Sequence, residues 1–140
     1  MPEPAIPSPA ELLAMIPYAA GLGITLEEAA PELVRGSLQW SPERCTSGGL
    51  LHGGAIMSLA DTIGALCAVL NLPAGAGTAT VDSATNFFRG VRDGALHAAA
   101  RPLHVGRSLI AVRTELTDDA GRVVGQTTQT QAVLTPRPSG

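Results

Sequence analysis

One apolar segment, residues 55–70 (AIMSLADTIGALCAVL), limits what this chain can fold into more than any other feature of the sequence. Its large side chains recur at intervals of three and four residues, which predicts a helix with one wide apolar face. Asn71 and Pro73, followed by two glycines, predict where this helix ends. Other parts of the fold must cover such a helix. The residues of the apolar stripe are Ile56, Leu59, Ala60, Ile63, Leu66, Cys67 and Leu70.

The segments on either side of the long helix have the alternation that is typical of strands. Before it, a short helix is predicted from Pro9 to about Ile16, capped by Ser8, and Pro31 lies near the turn of a first hairpin. This order of elements predicts an α+β fold in which an antiparallel sheet packs on the long helix. The predicted strands cover residues 22–29 and 33–40 before the helix, and residues 78–88, 95–103, 107–117 and 122–134 after it.

The composition limits the functions that this chain can have. A length of 140 residues fits one domain, with loose ends expected at residues 1–9 and 135–140. The net charge is −3, so we expect no basic surface for nucleic acid. Charged residues make up only 15% of the chain, whereas about 25% is usual. This shortage indicates that self-association covers part of the surface.

No targeting or membrane segment is expected. The N-terminal residues have no basic region and no long apolar run, so they do not resemble a signal peptide. No stretch reaches the length of about 18 apolar residues that a membrane span needs. Cys45 and Cys67 do not make a disulfide framework in a chain of this size. We therefore expect a cytoplasmic protein.

Asp61 is the only acidic or basic side chain between Gly53 and Val81. On a helical wheel it lies roughly 140° from the centre of the large apolar stripe. A surface aspartate is one explanation, but a surface face would carry more charges, so we expect a partner subunit to pack here. A carboxylate in apolar surroundings is costly and is often kept for chemistry. The neighbours of Asp61 on this face are Met57, Ser58, Gly64, Ala65 and Ala68.

The sequence Leu51-His52-Gly53-Gly54 stands directly before the long helix. Two glycines at a helix start allow close approach, and the first N–H groups of a helix have no partner within it. Together with the helix dipole, these N–H groups can bind a developing oxyanion. A flexible loop without function is the alternative. His52 could act as a base, but a hydrogen bond that fixes the loop is the more ordinary role.

Gly53 and Asp61 are eight residues apart in sequence, which corresponds to about 12 Å along a helix. One helix therefore cannot bring both groups to the same carbonyl. Two antiparallel copies related by a twofold axis can, because the start of one helix then faces the middle of the other. If both groups serve one site, the protein is at least a dimer.

Residues 48–68 (GGLLHGGAIMSLADTIGALCA) closely resemble the signature of PaaI-like thioesterases, which belong to the wider 4-hydroxybenzoyl-CoA thioesterase (hot-dog) group. The matching features are His52-Gly53-Gly54 and then Leu59 and Asp61 at the expected spacing. Residues 80–90 resemble a strand of that family, and residues 104–134 resemble its closing hairpin. The resemblance covers roughly residues 20–135.

The resemblance implies a hot-dog fold, in which an antiparallel sheet of five or six strands wraps one long helix, and dimers that often pair into tetramers. It also implies hydrolysis of an acyl-CoA thioester with no metal or redox cofactor. By position, Gly53 would donate its N–H to the thioester carbonyl, and Asp61 of the partner subunit would activate water or attack directly. Thr80 matches a residue that helps to hold the water. Thr46 matches a position that often carries Asn or Gln, so its shorter side chain departs from the pattern.

CoA carries phosphates, and arginine binds phosphates well. Arg89 and Arg107 stand at predicted strand ends and are candidates for this role, with His104 and Gly106 beside Arg107. Ordinary surface exposure is the alternative for each arginine. Gly54 is a further candidate for substrate binding. The acyl group, whether aromatic or a medium aliphatic chain, is not fixed by the sequence.

Two other functions fit the sequence less well. An enoyl-CoA hydratase of the same fold usually needs an aspartate and a histidine that cooperate a few residues apart in one loop, and no such pair is found. A non-catalytic acyl-CoA-binding regulator usually carries a DNA-binding domain, and none is predicted within these 140 residues.

Overall fold

The computed structural model describes residues 5–136, which form one six-stranded antiparallel sheet around a long helix. The elements are α1 (Pro9–Ala14), α2 (Pro17–Leu22), β1 (Thr25–Ala30), β2 (Leu33–Gln39), α3 (Gly53–Val69), β3 (Gly77–Phe87), β4 (Ala95–Val105), β5 (Leu109–Thr117) and β6 (Val123–Leu134). Across the sheet the strands follow the order β1-β2-β4-β5-β6-β3, so that β1 and β3 form its edges. This is the α+β architecture that the sequence predicts, and the long helix starts two residues earlier than expected.

Helix α3 lies against the sheet and supplies the centre of the core. Its apolar stripe is buried from Ile56 to Cys67 and contacts β2, β4 and β5. Burying each large aliphatic side chain contributes roughly 1.5–3 kcal/mol. Burial also raises the pKa of the Cys67 thiol to about 11, so this cysteine stays protonated and acts as a packing residue.

Gly36 lies where α3 packs closely on β2. A Cβ at this position would meet the Ile63 side chain and stand 2.8 Å from the carbonyl oxygen of Thr25. Only a residue without a side chain lets the helix approach the sheet here. The glycine that interrupts the alternation of β2 in the sequence is therefore required by the packing.

Strand β3 is an edge strand whose only neighbour in residues 5–136 is β6. The two strands pair along nearly all of the 11 residues of β3, with a bulge at Val81. The Val81 side chain is 68% exposed. A long open edge with exposed apolar side chains is a template for pairing with another strand.

One predicted boundary is wrong, because residues 17–22 form helix α2 and do not lead into a strand. Pro17 occupies its first position, and Gly23 ends it in the left-handed conformation with φ of 93°. Strand β1 consequently begins at Thr25 and not at Leu22.

The expectation that a partner subunit packs on the small-residue face of α3 stays a prediction, but this chain covers part of that face itself. Gly64 and Ala68 are buried within this chain, because β3 and β6 curl around that side of the helix. A narrow strip that contains Met57 and Asp61 stays exposed. The small residues therefore let this chain's own sheet approach the helix closely.

Candidate functional site

Asp61 lies in the middle of α3 and faces the inner side of β3 and β6. One carboxylate oxygen, Oδ1, accepts a hydrogen bond from the Thr80 hydroxyl on β3 at 3.3 Å. The same oxygen accepts a second hydrogen bond from the Gln129 Nε2 on β6, also at 3.3 Å. Two strands that are distant in sequence thus hold one oxygen of this carboxylate.

A second layer of buried polar groups holds the Thr80 hydroxyl in turn. The Gln131 Nε2 donates to Thr80 Oγ1 at 2.7 Å, and the Thr78 hydroxyl donates to Gln131 Oε1 at 3.1 Å. Because its oxygen accepts from Gln131, the Thr80 hydroxyl is free to direct its own proton at Asp61. Gln129 and Gln131 are each 1% exposed, so the two amides of this network are buried, whereas Asp61 and Thr80 are exposed.

The other carboxylate oxygen of Asp61, Oδ2, accepts no hydrogen bond within residues 5–136. Asp61 lines a cavity of about 270 Å³ that reaches across α3 to β3 and α2. A carboxylate oxygen with free lone pairs at a cavity can bind a water proton or attack an electrophile. The lining residues are Tyr18, Met57, Ser58, Asp61, Thr62 and Ser83.

His52 caps the start of α3, where its Nδ1 accepts a hydrogen bond from the Gly54 N–H at 2.7 Å. An accepting Nδ1 carries no proton, so a neutral His52 ring has its proton on Nε2. The hydrogen bond that was expected to fix this loop is present. The Gly54 N–H is consequently occupied and is not available to a substrate.

The Gly53 N–H has no acceptor in the described part of the chain. Gly53 is the first residue of α3, so its N–H points out of the helix along the dipole. The Phe87 ring lies 3.6 Å from the place that a Gly53 Cβ would occupy. The helix start therefore presents one free N–H beside an aromatic ring at the end of β3.

Tyr18 was not found by sequence reasoning, because it lies on the helix that was missed. Its hydroxyl is 3.0 Å from Ser58 Oγ, and Ser58 Oγ donates to the Gly54 carbonyl at 2.8 Å. Tyr18 also lines a second cavity of about 430 Å³ that contains His52 and Gly54. Its ring therefore stands between the cavity at Asp61 and the cavity at the helix start.

Gln129 and Gln131 were also missed, although the sequence carries a signal for them. They alternate with threonines in the last strand (QTTQTQ), on the face that must meet the apolar helix. Two amides on a face that a helix covers are as anomalous as one carboxylate on that helix.

The other predicted site residues lie away from Asp61. Thr46 is exposed in the loop before α3, and its hydroxyl makes no hydrogen bond in residues 5–136. Gly106 packs against His104 at the turn between β4 and β5, next to Arg107. This turn lies at the end of the sheet where β3 begins.

Arg89 lies at the opposite end of the sheet, after the end of β3. It lines a cavity of about 570 Å³ between the β3–β4 loop and the β5–β6 turn, together with Arg92 and Arg122. Arg92 donates to the Gly48 carbonyl at 3.1 Å, and Arg122 bonds the Asp118 carboxylate at 2.8 Å. The nine residues of β5 separate this end from the other, a length of about 30 Å. One chain therefore cannot place Arg89 and Arg107 on the same phosphate.

Residues 5–136 contain no group of three or more His, Cys, Asp and Glu side chains that is arranged to bind a metal ion. None of the helices in that range is long and apolar enough to cross a bilayer.

Known proteins resemble this chain in sequence and in structure. A family model described as "Thioesterase superfamily" matches residues 48–125, which contain α3, Gly53, Asp61 and Thr80. The chain belongs to the thioesterase superfamily.

Members of the thioesterase superfamily that resemble this chain come from several bacteria. A Mycobacterium tuberculosis protein named as an esterase is 30% identical over 127 residues, which are 89% of this chain and 91% of the relative. An Escherichia coli protein named 1,4-dihydroxy-2-naphthoyl-CoA hydrolase is 31% identical over 86 residues, 61% of this chain and 63% of the relative. The crystal structure of a Haemophilus influenzae thioesterase has a TM-score of 0.89 at 22% identity, with 97% of both chains covered. The fold is the hot-dog fold, and the protein is a thioester hydrolase.

Proposed function

We propose that this thioester hydrolase cleaves acyl-CoA thioesters at sites shared by two copies of the chain. Asp61 of one copy and the Gly53 N–H of the other would act on the same thioester carbonyl. The observation that carries the proposal is the state of the Asp61 carboxylate: Thr80 and Gln129 hold one oxygen, the other accepts no hydrogen bond in residues 5–136, and Asp61 lines a cavity.

The chemistry needs only a base or nucleophile and an oxyanion donor. Asp61 Oδ2 would take a proton from water as the water attacks the carbonyl carbon, or would attack that carbon itself. The carbonyl oxygen becomes an oxyanion, which the Gly53 N–H and the positive end of the α3 dipole stabilise. If water attacks, collapse of the tetrahedral intermediate breaks the C–S bond and releases the free acid and the CoA thiolate, which takes the proton from Asp61. If Asp61 attacks, collapse releases the thiolate and leaves a mixed anhydride on Asp61, which water then hydrolyses to the free acid.

The distance between the two groups supports a shared site. Gly53 and Asp61 lie on one straight helix, about 12 Å apart along its axis. An aspartate side chain spans only a few ångströms, so a carbonyl held by Gly53 cannot reach Asp61 of the same chain. A second copy must supply one of the two groups.

The second copy can pair with the open edge of β3, and the residues along β3 set the register of that pairing. Along β3, Phe87 lies beside Gly53 and Thr80 contacts Asp61. If two β3 strands pair antiparallel about a twofold axis at residue 84, the bulge at Val81 brings Phe87 opposite Thr80 of the partner subunit, with both side chains on the inner face. Gly53 of each copy then faces Asp61 of the partner subunit on the inner side of a continuous sheet.

The proposed substrate spans the cavities beside these two groups. The cavity at Asp61 is lined by the ring of Tyr18 and by Met57, so an aromatic or medium-chain acyl group fits its surface. The relative named as a naphthoyl-CoA hydrolase supports the aromatic choice. Arg89, whose guanidinium forms no hydrogen bond in residues 5–136, is the candidate for a CoA phosphate.

Release of free thiol from a panel of aromatic and aliphatic acyl-CoAs tests the proposal. We expect Asp61→Asn to lower kcat by about 10²–10⁴-fold, the usual contribution of a positioned base. The matched control is Glu115→Gln, which neutralises an exposed carboxylate on strand β5. Equal turnover by the Asp61 variant and the wild type on every substrate would remove Asp61 from the mechanism. Turnover of simple thioesters but of no CoA ester would show that the substrate class is wrong.

A further inference from the structure

We propose that Gln129 is a positioning residue that fixes the orientation of the Asp61 carboxylate. This inference rests on the proposed function, because it concerns how Asp61 is prepared for the reaction. Gln129 lies on β6, 68 residues away from Asp61 in sequence, and its Nε2 donates to Asp61 Oδ1 at 3.3 Å. Thr80 donates to the same oxygen.

Two donors converge on one oxygen of Asp61, and this limits how its carboxylate can turn. A carboxylate held through a single oxygen by donors from β3 and β6 cannot rotate freely about its Cβ–Cγ bond. The position of its second oxygen is fixed as well, and Asp61 lines the cavity that Ser83 and Met57 also line.

Gln129 is placed at some cost to the fold, which argues against a role in stability alone. Its Oε1 is buried and has no hydrogen-bond partner in the described residues. A buried polar atom without a partner is destabilising, and such atoms persist where they have a function. The reversed amide would turn Oε1 towards Asp61 Oδ1, and two acceptors would then face each other.

Gly64 is the residue that makes room for this amide. Gly64 lies three residues after Asp61 on α3, and a Cβ there would collide with the Gln129 amide. The helix and the strand therefore fit together here, because α3 has a glycine at the position where β6 has the Gln129 side chain. An apolar side chain on β6 could fill the space without an unpartnered oxygen, yet the chain has glutamine.

The first test replaces Gln129 with methionine, which keeps the length of the side chain and removes the donor. We expect kcat to fall about 10–100-fold, as for a misplaced catalytic group, with KM nearly unchanged. Tm should stay the same or rise, because an unpartnered buried oxygen is removed. Gln126→Met, the same change on the outer side of β6, is the control.

A second pair of variants keeps the test decisive if Gln129→Met folds poorly. Gln129→Glu has nearly the same shape but replaces the donating amide with a carboxylate, so kcat should fall as in the methionine variant. Gly64→Ala should lower kcat in the wild-type background and have little further effect in a Gln129→Ala background, because only the wild type has an amide to displace.

The outcomes separate this inference from the proposed function. Loss of activity in Asp61→Asn with an unchanged kcat in both Gln129 variants would overturn the positioning role alone. A fall in Tm with no change in kcat would assign Gln129 to stability and also overturn it. An active Asp61→Asn would overturn the proposed function instead.

Discussion

The Gly53 N–H and the Asp61 carboxylate lie on one helix, about 12 Å apart along its axis. The first is beside the end of β3 and the second is beside Thr80, closer to the start of β3. Each chain therefore holds two half-sites beside β3 that are too far apart to act on one carbonyl. The twofold pairing proposed for β3 brings each half-site to its complement and uses the one long sheet edge that a single chain leaves open.

This arrangement predicts that two inactive variants restore each other. Gly53→Pro removes the free N–H but suits the first helical position, because proline is preferred there and the extended conformation of His52 permits it. We expect this variant to lose about 10²–10³ in kcat, the usual cost of one oxyanion donor. Refolding an equal mixture of Gly53→Pro and Asp61→Asn should return about a quarter of wild-type activity, because half of the dimers have one intact site.

The controls for the mixing experiment are each variant refolded alone and the double variant mixed with wild type. A mixture no more active than its components would mean that each site is formed within one chain. Full activity of Gly53→Pro by itself would remove the amide from the mechanism. Size-exclusion chromatography with light scattering on the same samples reports whether dimers form.

The stability of the protein is expected to depend on pH through Asp119, which lies with Arg89 at the end of the sheet where β3 ends. Asp119 accepts hydrogen bonds from the His97 ring at 2.7 Å and from the Ala95 N–H at 3.2 Å, and the His97 contact chiefly lowers the pKa of Asp119. A carboxyl group with a lowered pKa in the folded state stabilises the fold above its ordinary pKa. That contribution is lost as the pH falls through the lowered value, roughly between pH 5 and pH 2.

Melting temperatures of the wild type and of Asp119→Asn across this range test that expectation. The wild type should be more stable at neutral pH, and the two curves should converge in acid. Because both side chains are partly exposed, 1 M NaCl should reduce the difference. A constant difference from pH 7 to pH 2 would show that Asp119 acts through packing and not through its charge.

Much of this fold follows from local patterns in the sequence. The long helix and β5 follow from periods of 3.6 and 2 residues, and the other strands follow from their composition and from the turn residues between them. Strand β3 buries no residue, so its position in the sheet leaves no buried face for a period to show. Helix α2 does not follow from such patterns, because its six residues are too short for a period to show. It is held by burial of Ala19 and by the left-handed Gly23, and both are tertiary or conformational facts that no window of sequence displays.

Only part of the candidate site could be predicted from the sequence, because some of its residues come together only in the folded chain. Gly53 and Asp61 stand out because each is anomalous within its own segment. Gln129 meets Asp61 only because β3, β6 and α3 come together, and β3 and β6 are far apart in the chain. The roles of Gly53, Thr46, Arg89 and Arg107 stay predictions, since a second chain and a substrate define them.

His52 is expected to act as a cap, and the choice of substituent can show this. Asparagine is among the best residues at a helix N-cap, whereas alanine there costs about 0.5–2 kcal/mol. We therefore expect His52→Ala to lower both Tm and kcat, because the first turn of α3 carries the Gly53 N–H. His52→Asn should restore most of both, because its side chain can accept from the Gly54 N–H as His52 Nδ1 does. If the asparagine variant is stable but as inactive as the alanine variant, the ring itself takes part in the reaction.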